Sequence, residues 1–593
     1  MPHMNPLRRD APIQDSEPAD ISIEEMIIDS TEVPRDSFSP KLGDEVDGIP
    51  TMITSPSPER RPFKPLPEHE QTLDPRKSPA TIPPEHKHRT LVLCFDGTGD
   101  QFDADNSNIV QLFSLLKKDD RAKQMVYYQT GIGTYTSPKV VTPLMSKASK
   151  ALDSAVAWNL DSHVMHGYEF LMQNYSSGDR ICIFGFSRGA YTARALAGMI
   201  HKVGLLPASN HEQVPFAYKM YARTDVVGWE QSTAFKKAFS NDVTIEFLGV
   251  WDTVNSVGLI PRRLPFTTSN TVVRTFRHAV ALDERRAKFK ANLWNLPMPH
   301  EAKLGNPAHP PASPNVQPSK LPDASNSSSE KHPGHEHHSS FIRDSSEEYL
   351  LSAMERKYSE FRHRSDVEEV WFAGCHTDVG GGSVSNKTRH SLARISLRWM
   401  VRECFKTQTG IMFDTERLKE IGLDPATLYP FVTPRAPPLP TEGARIAKAS
   451  KKDKRPWWRP FAPKPAPPVP TTELNEKTSK PHDLHKPVSE EEEELKDAMS
   501  PIYDQLKIKK VWWILEWIPM EFRYQAGEDN HWVSYFGANR ARSRIIPKQK
   551  HNGVKVHRSV KMRMEMHHES KNPKKQKKYT PRARLHVEPT WVD

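Results

Sequence analysis

The stretch that most constrains what this chain can become is 179–204, DRICIFGFSRGAYTARALAGMIHKVG. Residues 181–186 form a short apolar run of the length of a buried strand. The pentapeptide Gly185-Phe186-Ser187-Arg188-Gly189 overlaps its end, a G-x-S-x-G sequence, and from 190 to 202 small and apolar residues recur at helical spacing. Strand, sharp turn and helix, with a serine at the apex, is the pattern of a nucleophile elbow. The glycines allow the turn and the close approach of strand and helix. Ser187 then stands at a helix N-terminus, where the amides favour negative charge. The competing reading is a glycine-rich turn in which Ser187 only caps the helix.

Composition sets the frame. The 593 residues could enclose a large core, yet 52 prolines, a mean hydropathy of -0.67 and 36% hydrophobic residues mean that much of the chain is not core. One catalytic domain broken by long disordered inserts is expected, not several compact domains. The expected organisation is a disordered tail over 1–87, an α/β-hydrolase-like domain over 88–434 with a disordered insert at 300–345, a disordered linker over 435–497, and a Trp-rich, basic segment over 498–593. Cys94, Cys182, Cys375 and Cys404 are too few and scattered for a disulfide frame, and reduced, buried thiols are expected. The first residues lack the apolar core of a signal peptide, and no run approaches a membrane span. A cytoplasmic protein with peripheral contact at an intracellular membrane is the expectation. The net charge of +10 is modest. Most of it gathers near the C-terminus without an RNA-binding motif, so no nucleic-acid partner is expected.

Several apolar runs end in polar residues of chemical interest. Residues 90–95 (TLVLCF) lead into Asp96-Gly97-Thr98-Gly99, and loops after strands are where α/β sheets place ligands. The phosphatase signature D-x-D-G-T would need an aspartate where Cys94 stands, so that reading lacks its nucleophile. The amides of Gly97 and Thr98 are instead candidates for an oxyanion hole; the plain alternative is that Asp96 caps a turn. The Gly-x-Gly at 131–133 lacks the rest of a dinucleotide fingerprint. Residues 209–240 read as helices, expected to cap a pocket. Residues 244–251 (TIEFLGVW) end at Asp252, a candidate acid. Residues 274–286 (RTFRHAVALDERR) read as a helix carrying His278, an alternative base. Residues 367–374 end at Cys375-His376, followed by Asp378 and a glycine run; His376 is the candidate base and Asp378 an alternative acid.

The remaining features are weaker. Ser-Pro pairs at 39–40, 55–56 and 57–58 are candidate phosphorylation sites, the histidines near 332–338 imply no ordered metal site, and Trp457 and Trp458 form a small contact candidate. Residues 511–522 (VWWILEWIPMEF) read as a helix docked on the domain, or as an interfacial segment with Trp512, Trp513 and Trp517 at headgroup level. From Arg540 onward, about sixteen Lys and Arg face about four acids, and residues 574–578 (KKQKK) could attract anionic membranes.

Ser187, Asp252 and His376 each follow an apolar run, and nucleophile–acid–base is the chain order of α/β-hydrolases. The segments LVLCFDGTGD, ICIFGFSRGAYTARALAGMI, FLGVWDTV, HAVALDERR and WFAGCHTDVGGG resemble the motif series of the type VI secretion phospholipase effector Tle1-like catalytic domain, a family that also takes in fungal proteins of uncharacterised function. The resemblance covers roughly 89–405, and VHRSV at 556–560 is similar to the fungal members. It implies Ser187 as nucleophile, His376 as base and Asp252 as acid, and the bacterial members cleave phospholipids. The expected activity is therefore hydrolysis of a carboxylic ester of a lipid or phospholipid, with the Arg188 amide and the Gly97–Thr98 loop holding the oxyanion and no cofactor required. The rival expectation is a membrane-associated scaffold that keeps the fold without turnover.

Overall fold

A computed structural model describes residues 79–97, 102–131, 148–254, 263–299, 343–358, 364–449, 489–569 and 577–593. The 1–78 tail with its Ser-Pro pairs, Thr98, most of the His-rich insert, Trp457, Trp458, Lys574 and Lys575 lie outside the described residues. Eight strands build the main sheet: β1 (Thr90–Phe95), β2 (Gln124–Gln129), β3 (Arg180–Phe186), β4 (Ile245–Trp251), β5 (Val273–Ala281), β6 (Asp366–Phe372), β7 (Lys555–His557) and β8 (Thr590–Val592). Their order is β8-β7-β6-β5-β4-β3-β1-β2, and every neighbouring pair is parallel.

A parallel sheet is covered on both faces, so its central strands β1 and β3 read as near-continuous apolar runs and do not alternate. Along β1, Val92 and Cys94 enter one core cluster while Leu91, Leu93 and Phe95 enter the other. Along β3, Cys182, Phe184 and Phe186 oppose Ile181 and Ile183 in the same way. Helix α1 (Asn108–Leu115) and the helix Leu392–Lys406 cover the first face; α2 (Ala148–Asn174) and α3 (Arg188–Val203) cover the second. All four cysteines are free and buried. Among the described residues, no helix is long and apolar enough to cross a membrane.

The chain runs from β1 outward to β2, then crosses back to place β3 on the other side of β1. The strand order reverses there, and at such a reversal the carboxyl ends of neighbouring strands are where α/β sheets place ligands. That reversal positions the site.

Three expectations need correction. Residues 274–286 are not a helix: β5 occupies Val273–Ala281 at the centre of the sheet. A strand buried on both faces has no period-2 polarity, so its pattern resembles a buried helix. The helices Val214–Ala222 and Val226–Phe239 exist, but they pack on the C-terminal half of α3: Lys202 Nζ donates to the carbonyls of Met220 (3.2 Å) and Tyr221 (3.1 Å). Lys202 is fifteen residues from Ser187, roughly 20 Å along a helix, so this pair does not cap Ser187. Residues 511–522 are not one helix. A short helix, Trp512–Trp517, gives way at Pro519 to a hairpin of Pro519–Ala526 and His531–Ala538.

The C-terminal segment contributes to the same sheet. β7 pairs with β6 through Lys555↔Val370 and Val556↔Trp371, and β8 pairs with β7. An acidic helix, Glu490–Ala498, helps to hold it. Its Asp497 meets Arg398 at 2.7 Å, Glu493 meets Arg394 at 3.0 Å, Glu490 meets Arg402 at 2.5 Å, and Glu494 meets Arg558 at 2.7 Å.

Candidate active site

Ser187 caps the end of β3 with φ 59° and ψ −121°, a backbone conformation that costs a non-glycine residue of order 1–3 kcal/mol and that clusters at functional sites. The elbow is pressed against the end of β1. A Cβ at Gly189 would lie 2.3 Å from the Asp96 carbonyl oxygen and 2.4 Å from that of Phe95. Backbone cannot yield as a side chain does. Gly189→Ala is expected to destabilise the protein by about 1–3 kcal/mol, read as a lower midpoint of thermal unfolding; an unchanged midpoint would contradict this packing.

His376 opens a single helical turn, His376–Gly380, after β6. Its Nε2 lies 2.8 Å from Ser187 Oγ, and its Nδ1 lies 2.5 Å from Asp252 Oδ2. The ring is flanked by Phe186 and Phe289, with centroids 4.7 and 4.8 Å away. Asp252 follows β4 with φ 42°. Its Oδ1 accepts from the Ala281 amide at 2.8 Å. The sheet thus brings three sequence candidates from three strand ends into one hydrogen-bonded series.

A fourth member had no signal in the sequence beyond being one of many basic residues near the C-terminus. Arg544 donates from Nη1 to Asp252 Oδ1 at 2.5 Å and from Nη2 to Asp252 Oδ2 at 2.9 Å. Both side chains are buried. Burial alone would raise the Asp252 pKa, but the Arg544 charge and the hydrogen bonds from His376 and Arg544 outweigh it and hold the carboxyl well below the usual carboxylate range. Asp252 is therefore an acceptor only. His376 Nδ1 must carry the proton, which leaves the Nε2 lone pair facing the Ser187 hydroxyl. Burial also pulls His376 below its ordinary 6.5, and the bond and charge of Asp252 only partly offset it. Burial thus favours the neutral form of the imidazole.

The alternatives stand elsewhere. His278 accepts the Thr253 amide at Nε2 (3.1 Å), so its Nδ1 carries the proton and donates to Glu369 at 2.8 Å; it braces the turn after Asp252. Asp378 accepts the amides of Cys375 (2.9 Å) and Tyr503 (3.0 Å) and holds the His376 turn from below. Burial pushes its pKa up to about 7, against those two bonds.

The expected oxyanion loop is only partly described. The Gly97 amide donates to the Asp96 carboxylate at 2.8 Å, and so turns back on its own loop. Asp96 also accepts the hydroxyls of Ser107 (2.6 Å) and Tyr128 (2.7 Å). Arg188 is the first residue of α3, directly after Ser187.

The tryptophans divide. Trp512 is half-buried and packs edge-on against Phe289 at 5.6 Å, with the Arg286 guanidinium over both rings. Trp513 Nε1 donates to the Leu506 carbonyl at 3.0 Å. Trp517 is exposed, as are Val511, Ile514 and Ile518. A polar cavity of about 410 Å³, lined by Asp179, Arg180, Glu246 and Arg274 among others, lies at the amino ends of the strands, away from Ser187. Among the described residues, no cluster of His, Cys, Asp and Glu could hold a metal ion.

Comparison with known proteins agrees with the motif series. The family model described as T6SS, phospholipase effector Tle1-like, catalytic domain matches residues 89–403, just over half of the chain. An uncharacterized protein of Saccharomyces cerevisiae is 30% identical over 576 residues, covering 80% of this chain and 79% of that one. Two solved structures are more distant. An uncharacterized protein from Pseudomonas aeruginosa is 17% identical with a TM-score of 0.26, over 55% of this chain and 46% of that chain. A Tle1 effector bound to the VgrG spike from the type 6 secretion system is 16% identical with a TM-score of 0.22, over 56% of this chain and 62% of that chain. The alignment thus spans less than two thirds of either solved chain. By the family match over just over half of its length, this chain belongs to the Tle1-like phospholipase effector catalytic-domain family.

Proposed function

We propose that the protein is a serine hydrolase that cleaves a carboxylic ester of a lipid or phospholipid. The observation that carries this reading is the series Ser187 Oγ–His376 Nε2–Nδ1–Asp252 at 2.8 and 2.5 Å on a strained elbow. Membership in a family described by a phospholipase effector supports a hydrolase and a lipid substrate. His376 takes the Ser187 proton as the hydroxyl oxygen attacks the ester carbonyl. The resulting imidazolium is held by Asp252, and its proton passes to the leaving alcohol. A water activated by the same imidazole then releases the acyl group. We assign the Arg188 amide as an oxyanion donor, a role whose loss costs roughly 3 to 4 kcal/mol in other hydrolases.

One observation favours the rival scaffold reading: Ser187 is only 5% exposed and His376 3%, so an ester reaches the hydroxyl only when neighbouring groups part. A panel of acyl esters and phospholipids offered to the full chain separates the two readings. Fatty-acid release that disappears in His376→Ala supports the hydrolase. No release from any member, with the chain folded, supports the scaffold.

We also propose contact with an anionic membrane through the helix Trp512–Trp517 and its flanks. Val511, Ile514 and Ile518 fall on one helix face at i, i+3 and i+7, beside exposed Trp517, and Lys507, Lys509 and Lys510 precede them. Trp512 and Trp513 turn to the protein, so the contact would rest on the other four. Replacing Ile514 and Trp517 together by Asp is expected to reduce flotation with phosphatidylserine vesicles at least tenfold, since burying two large side chains is worth roughly 3 kcal/mol or more. Undiminished flotation would remove this face from membrane contact.

A further inference from the structure

We propose that Arg544 is the positioning residue of this active site: it locks the acid Asp252 in its ionised, accepting state, and so makes the C-terminal segment part of the catalytic unit. The inference rests on the serine-hydrolase reading and adds to it a residue outside the matched 89–403 region.

The geometry leaves no donor of the guanidinium idle. Nη1 donates to Asp252 Oδ1 (2.5 Å) and the Ala281 carbonyl (3.0 Å); Nη2 donates to Asp252 Oδ2 (2.9 Å) and the Phe289 carbonyl (2.5 Å); Nε donates to the Phe289 carbonyl (3.0 Å). Five N–H groups in a planar fork are an arginine's full complement, and lysine cannot reproduce them. The loop that carries Arg544 is fastened beside the site. Buried Glu516 accepts the Ala287 amide (2.6 Å), the Ala541 amide (2.8 Å) and Asn539 Nδ2 (2.5 Å). Asn539 Nδ2 also reaches the Arg285 carbonyl at 2.7 Å. The loop is thereby held to the 285–289 stretch, whose Phe289 ring packs on His376.

The lock has a chemical consequence. With Arg544 on both oxygens, Asp252 cannot take the proton from Nδ1, so the orientation of the imidazole is fixed. The same positive charge offsets part of the carboxylate field, so the imidazolium is less stabilised than by a free aspartate. The other charges facing His376 are Glu284, whose Oε2 accepts its amide at 3.2 Å, and Arg286, paired with Glu284 at 2.8 Å. Glu284 is held at about 2, since that pairing and the Arg544 charge outweigh its burial; Arg286 and Glu284 act on the His376 ring in opposite directions. On the turn of His376 itself are the Cys375 thiol, pushed up by burial, and Asp378, bonded to the amides of Cys375 and Tyr503. Asp252 is the carboxylate that bonds the ring, and Arg544 acts on the ring through Asp252.

The test is the pH dependence of fluorophosphonate labelling of Ser187 in the full chain, with folding followed by circular dichroism. In the unaltered protein the acid limb should lie below 6.5. Arg544→Gln, which removes the charge, should move that limb upward by about one pH unit and slow labelling at pH 6. Arg544→Lys, which keeps the charge and loses the fork, should leave the limb in place while slowing labelling about tenfold. A limb at or above 6.5 in the unaltered protein, an unmoved limb in folded Arg544→Gln, or full-rate labelling of Arg544→Lys would each overturn the inference and leave the hydrolase reading standing. The lysine variant decides should the glutamine variant not fold. No labelling of the unaltered protein at any pH would overturn both.

Discussion

Ser187→Ala is expected to abolish fluorophosphonate labelling and to lower ester hydrolysis by on the order of 10⁶-fold, as removal of a nucleophile does in other serine hydrolases. In the proposed mechanism the hydroxyl is the atom that bonds to the acyl carbon, and among the described residues it is the hydroxyl that lies against His376 Nε2. The fold should survive. The change removes one hydrogen bond, worth about 1 kcal/mol, and leaves the elbow glycines and the core of β3 intact. Far-ultraviolet dichroism and a thermal scan check that premise, and acid release from an ester checks the chemistry. Labelling that persists in the alanine variant would remove Ser187 from the mechanism.

Asp252→Asn is expected to fail in two separate ways. Catalysis should fall by about 10⁴-fold, because an amide can donate to His376 Nδ1, moving the ring proton to Nε2 and turning the base away from Ser187. Stability should also fall, by about 3–5 kcal/mol, because Arg544 keeps its charge in a site with almost no solvent and loses its counter-ion. The first effect is read in kcat and the second in the unfolding midpoint. A variant that keeps a tenth of the activity would exclude Asp252 as the acid. A variant with an unchanged midpoint would show that the Arg544–Asp252 pair is not a buried charge pair in solution.

The parts that could be read from the sequence share a physical cause. TLVLCF, ICIFGF and TIEFLGVW are mostly apolar because parallel strands are covered on both faces, and the last two lead directly into Ser187 and Asp252. Gly185 and Gly189 mark the elbow because no Cβ fits there. β5 resembles a helix in sequence because two of its polar residues, Arg277 and His278, are buried and satisfied by Glu403 at 2.6 Å and Glu369 at 2.8 Å. Buried pairs leave no periodic trace. Residues 511–522 depart from a single helix for another reason: Pro519 and the Gly527–Asn530 turn break the chain into a helix and a hairpin, and the run of tryptophans hides those signals.

What the sequence determined by itself is the set of strand ends and the residues standing on them: Ser187, Asp252 and His376 are fixed by local pattern, since the length of an apolar run and the glycines beside it are properties of neighbouring residues. What only the tertiary structure decided is the company those residues keep. Nothing near Arg544 in the chain distinguishes it from the other basic residues around it, and Trp512 reads no differently from Trp517. Their roles come from the 292 positions separating Arg544 from Asp252 being closed by the sheet, and a contact across that distance depends on the whole fold rather than on any local signal.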